Sequence, residues 1–98
     1  MIRHVFLWKV AEGADPDAII RILNSLPENV PGARTWSLGA QRGAPGASGD
    51  VWDYGLVCDF DSEEALQEYS GHPYHLEVIE RLLPMFEARA VCDFELSE

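Results

Sequence analysis

The stretch Ile2-Arg3-His4-Val5-Phe6-Leu7-Trp8-Lys9-Val10 decides how this chain reads. Side chains of a strand alternate between its faces, so His4, Phe6, Trp8 and Val10 fall on one side and Val5 and Leu7 on the other. Both sides carry large apolar groups. A strand of that kind is covered on both faces, and its histidine sits among apolar neighbours.

The rest of the chain can be read outward from this strand. Asp15-Pro16 pairs an N-cap acid with a proline suited to the first helical position. Ile19, Ile22, Leu23 and Leu26 then follow at helical spacing. Pro27 is expected to end the helix, with a loop over 28–33. Residues 34–41 read as a second strand, with Trp36, Leu38 and Ala40 on one face. Gly43 to Gly49 reads as a mobile, small-residue turn region. A third strand is expected over about 51–60, with Trp52, Tyr54, Leu56, Cys58 and Phe60 on one face. Asp61-Ser62-Glu63-Glu64 reads as a capping box with Asp61 at the N-cap. Its short helix runs to about Tyr69 and breaks at Gly71. His72-Pro73 starts another helix, with His75, Ile79, Leu82 and Phe86 in one stripe. Pro84 should kink or end it, and 88–96 give the last strand.

Strand, helix, strand, strand, helix pair, strand is the order of an α+β fold of the ferredoxin-like kind. It has one antiparallel four-stranded sheet with helices on one face, here as a single domain over 1–98. The apolar groups on the other face of the first strand call for a second sheet. A homodimer that closes two sheets into a dimeric α/β barrel supplies it. A chain of 98 residues also gains from such a partner, because alone it buries only roughly 60–65% of its unfolded surface. In the usual strand order the first strand separates the third from the fourth. That puts Cys58 and Cys92 about 10 Å apart, beyond the ~7 Å a disulfide spans. Both are expected to be buried free thiols.

The net charge of -10, from 17 acidic and 7 basic residues, argues against nucleic acid and anionic membranes as partners. No apolar run is long enough for a membrane helix. Met1-Ile2-Arg3-His4 lacks signal-peptide architecture, so a cytoplasmic location is the expectation. There is no phosphate loop, dinucleotide fingerprint or nucleophile elbow, and no cofactor is expected.

Proton-active groups gather in two places. Tyr69-Ser70-Gly71-His72-Pro73-Tyr74-His75 holds two of the three histidines, and His4 is the third. Histidine exchanges protons near neutral pH. His75 shares the apolar helix stripe and faces inward, as a general base or as a core histidine held by one hydrogen bond. The Tyr69 hydroxyl is placed to donate to a developing oxyanion, or to sit in the core. His4, beside Phe6 and Trp8, suits a pocket floor, and Tyr54 could add a further hydroxyl. His72 either caps the helix with Pro73 or braces Tyr69 or His75. As zinc ligands, His72, His75 and His4 make only a weak pattern, and no metal is expected. Asp53, Asp59 and Asp61 offer oxygens to a hard cation, but read first as a solvated loop.

Three segments carry a family resemblance: Ile2 to Lys9, Tyr69 to His75, and Cys92-Asp93-Phe94. Over nearly its whole length the chain resembles the stress-responsive dimeric α/β-barrel (Dabb) family. That family is similar to plant hydroxynitrile lyases and includes polyketide cyclases of the olivetolic acid cyclase type. The resemblance implies a pocket between sheet and helices, and acid–base chemistry without metal or organic cofactor. It places a catalytic tyrosine on Tyr69, a catalytic histidine on His75 and a pocket histidine on His4. Where the cyclase has a third-strand histidine this chain has Tyr54, so a different substrate is implied. Phe6, Trp8, Leu56, Ile79 and Phe86 would form the apolar wall, with His72 and Tyr54 near the substrate, a small apolar or aromatic carbonyl compound. The expected function is that of a cofactor-free lyase, cyclase or isomerase. A non-catalytic stress-responsive ligand-binding dimer and a cofactor-independent monooxygenase remain the alternatives.

Overall fold

The computed structural model describes residues 1–44 and 51–97; most of the expected Gly43–Gly49 turn region lies outside these. The elements are β1 (Ile2–Val10), α1 (Pro16–Asn24), α2 (Leu26–Asn29), β2 (Thr35–Ala40) and β3 (Tyr54–Phe60), then α3 (Glu63–Gly71), α4 (Pro73–Leu82), a 3-10 turn (Leu83–Met85) and β4 (Phe86–Glu95). The sheet is antiparallel with order β2-β3-β1-β4, so β1 is an inner strand and β4 an edge. This is the ferredoxin-like α+β architecture expected from the sequence.

Local chemistry explains most boundaries. The Asp15 side chain accepts the Asp17 N–H, and Pro16 occupies the first turn of α1. That helix stops at Asn24, earlier than expected. Pro27 does not end it but sits in the first turn of α2, where a missing N–H costs nothing. Ser62, not Asp61, caps α3 by accepting the Ala65 N–H. Asp61 is instead paired with Arg34 at 2.6 Å. Pro84 turns the chain through the 3-10 segment, so Phe86 belongs to β4 and not to a helix stripe.

The core lies between sheet and helices. Phe6, Trp8, Leu56, Cys58 and Phe60 from the sheet meet Ile19, Leu23, Leu26, Tyr69, Val78 and Leu82 from the helices. Trp8 is fully buried and stacks on Phe6 and Tyr54, each with ring centroids 5.4 Å away. Phe60 packs on Tyr69 at 4.8 Å. Cys58 is buried, and burial pushes its thiol up to about 12. Both cysteines are free; Cys58 is buried, and Cys92, also expected to be buried, is exposed in the single chain. It lies opposite Val5 in the register, on the helix-free face of an edge strand.

That helix-free face also carries Val5, Leu7, Val57 and Phe94. Asp59 is on it too, yet only 3% exposed, so it is not part of a solvated loop. Arg3 lies over it, with Nε and Nη2 donating at 2.8 and 3.0 Å, and Thr35 donates at 3.0 Å. These donors, the Arg3 bond foremost, hold its carboxyl below the usual range. Asp53 accepts the Val10 N–H at 2.7 Å and so ties the start of β3 to β1.

Phe60 is fully buried, so Phe60→Ala leaves a cavity between β3 and α3. Urea unfolding should show a loss of about 3–5 kcal/mol.

Candidate active site

Three helix-facing residues of β4, namely Arg89, Val91 and Asp93, are exposed although they stand beside Trp8, Phe6 and His4 of β1. The helices cover the other strands and leave this edge open. A cavity of about 310 Å³ results. His4, Phe6 and Leu56 form its floor and Tyr69, Ser70 and His75 stand over it. Leu23, Leu26 and Ile79 complete the apolar wall, and Leu76, Val91 and Arg89 also line it. Leu76 and Val91 are 57% and 52% exposed, which makes them its mouth.

Each polar group is positioned by its element. His4 is held by β4: its Nδ1 lies 2.5 Å from Asp93 Oδ1, and the two residues are paired directly across the ladder. Opposed side chains on one face of an antiparallel pair come within such reach. Tyr69 is 2% exposed near the end of α3. Its hydroxyl makes no hydrogen bond among the described residues, and burial pushes its phenol up. Its ring meets that of His75 edge-on at 4.8 Å.

His75 sits in the first turn of α4. Among the described residues its buried Nδ1 has no hydrogen-bond partner of good geometry. The ring lines the cavity, so Nε2 is the nitrogen left accessible. Burial lowers the His75 pKa, and the neighbouring His4 charge lowers it further. The Ser70 backbone carbonyl opposes these effects in part, and His72 adds to them. The outcome is a neutral imidazole at neutral pH.

The structure therefore gathers His4, Tyr69, His75, Phe6, Leu56 and Ile79 at one cavity. It does not bring His72, Trp8, Tyr54 or Phe86 there. His72 caps α4, its Nδ1 accepting the Tyr74 N–H at 3.1 Å. Trp8 is sealed in the core with Tyr54 on one side and Phe86 on the other; these rings back the wall and do not line it. Tyr74 donates to Ser25 at 2.8 Å and so locks α4 against the α1–α2 junction. Asp93, Arg89 and Ser70 are site residues that the sequence reading did not single out. Among the described residues no His/Cys/Asp/Glu cluster has the arrangement of a metal site. A second hollow of about 410 Å³ shares Ser70 and Asp93 with the first. It adds Glu63 and Glu95 but no histidine, so it lacks a base that works near neutral pH.

The sequence profile of the Dabb family, the stress responsive A/B barrel domain, matches residues 2–96. Among solved structures, a dimeric ferredoxin-like protein of unknown function from Thermobifida fusca is 28% identical. The match covers 97% of this chain and 90% of that one, with a TM-score of 0.77. A protein of Arabidopsis thaliana is 22% identical over 100% of this chain and 97% of that one, with a TM-score of 0.88. The hydroxynitrile lyase of Passiflora edulis is 20% identical over 99% of this chain and 94% of its own, with a TM-score of 0.87. The last two likenesses are of fold. Among curated proteins none matches the chain. No helix among the described residues is long and apolar enough to cross a membrane.

In an NMR titration of the free protein, the His75 ring should stay neutral at pH 7. Its midpoint should fall below the ordinary histidine value of about 6.5. Because the folded value is the lower one, this residue lowers stability as pH drops through 6.5.

Proposed function

The chain belongs to the Dabb family, and from that premise we propose that it is an acid–base enzyme acting on a small carbonyl compound. The reaction class is that of a lyase, cyclase or isomerase, run by the protein's own side chains. One observation carries the reading: His4, Tyr69 and His75 line one small apolar cavity.

In this reading the closed-off Nδ1 of His75 keeps the ring proton and Nε2 holds the lone pair. Nε2 removes a proton alpha to the substrate carbonyl, and the neutral state favoured by burial keeps it ready at pH 7. The Tyr69 hydroxyl has no hydrogen bond to give up among the described residues, so it donates to the oxyanion as charge develops there. His4, oriented by Asp93, holds the substrate or returns the proton. The cavity of about 310 Å³ is at the small end for ligand pockets, which suits a compound of roughly one ring. The likeness to olivetolic acid cyclase extends to His4, Tyr69 and His75. It stops at Tyr54, which stacks on Trp8 and stands outside the cavity lining.

We propose further that two copies pair through the helix-free face, where Val5, Leu7, Val57 and Phe94 are left by the fold. The Thermobifida protein is dimeric. Wild type should run as a dimer in light scattering and Val57→Arg as a monomer, whereas a monomeric wild type would remove this part.

Catalysis is tested by α-proton exchange of small ketones in D2O, followed by ¹H NMR. Wild type should accelerate exchange, His75→Ala should slow it by about 10²–10⁴-fold, and Tyr69→Phe by about 10²-fold. No acceleration over buffer, or full activity in His75→Ala, would leave a binding protein in its place.

A further inference from the structure

We infer that Arg89 anchors one carboxylate of the ligand, so that the substrate is a carbonyl compound bearing a single free acid group. This rests on the proton-transfer reading of the same cavity.

The chain has 7 basic and 17 acidic residues. Arg3, Lys9, Arg21 and Arg34 each contact a carboxylate. Arg42, Arg81 and Arg89 make no ion pair among the described residues, and of these three Arg89 is the one that lines the cavity. The acids flanking it along β4 are engaged elsewhere, Glu87 with Lys9 and Asp93 with His4. Arg89 is exposed, yet it lines the cavity. An unpaired guanidinium at the rim of an apolar cavity is a ready partner for an anion.

Its placement gives the ligand a shape. Arg89 stands opposite Trp8, and Asp93 stands opposite His4. The two are four positions apart along β4, roughly 13 Å along the backbone. Phe6, Val91 and Ile79 lie among the lining residues and are apolar. The cavity is therefore polar at both ends. The carbonyl belongs at the His4–Tyr69–His75 end and the acid at the Arg89 end, with a few carbons between them. The guanidinium fork matches the two oxygens of a carboxylate. The net charge of -10 repels polyanions, and the one arginine lining the cavity neutralises one charge. That favours a monocarboxylate over the phosphates of a carrier thioester.

Isothermal titration with benzoylpropionate and its neutral carboxamide tests this. Wild type should bind the acid at least about tenfold tighter. Arg89→Met should bring the acid down to the affinity of the amide. Equal binding of the pair, a preference that survives Arg89→Met, or binding of neither probe would overturn the inference. So would competition by coenzyme A that Arg89→Met abolishes, since that would assign the residue to phosphates. Proton exchange on both probes separates the two readings. Exchange without acid preference removes the anchor and leaves the enzyme, and preference without exchange does the reverse.

Discussion

The helix layer of this protein is one strand narrower than its sheet. Strand β1 is an inner strand, and its inward row of Ile2, Phe6 and Trp8 is buried. The inward row of β4 at the edge, Arg89, Val91 and Asp93, is exposed. Everything at the site depends on that mismatch. A layer wide enough to cover β4 would fill the gap with side chains, as it does over β3. Because it stops short, the space beside His4 is open and walled by apolar groups, with the exposed Leu76, Val91 and Arg89 at its rim.

The same mismatch sets the electrostatics. His75 is close enough to the core for burial to lower its pKa, yet it still lines the cavity. Tyr69 packs its ring between Phe60 and His75, and its hydroxyl makes no hydrogen bond among the described residues. Packing thus fixes the rings while the reactive atoms stay uncommitted. His4 is the reverse case, a group tied down by Asp93 at 2.5 Å.

Much of the fold was legible because its signals are local. The alternation in Ile2–Val10 placed His4, Phe6 and Trp8 on one face, and Asp15-Pro16 and His72-Pro73 marked true helix starts. What failed needed tertiary knowledge. Pro27 fits an ending as well as a first turn, and only packing decides between them. Phe86 continues a helical stripe on paper but lies beyond the turn at Pro84. The candidate site was legible where residues share an element or a motif, as Tyr69 and His75 do. Asp93 and Arg89 are found only through the β1–β4 register, which pairs positions far apart in the chain. The exposure of Cys92 likewise follows from its edge strand, which no spacing in the sequence displays.

Proton transfer in this cavity stands or falls with His75 as the acceptor. ¹⁵N NMR of labelled protein, saturated at pH 7 with an acidic phenol as an enol mimic, addresses it most directly. The His75 nitrogens should move to imidazolium shifts on binding, although burial keeps the free ring neutral at that pH. A saturated complex in which His75 remains neutral would contradict it.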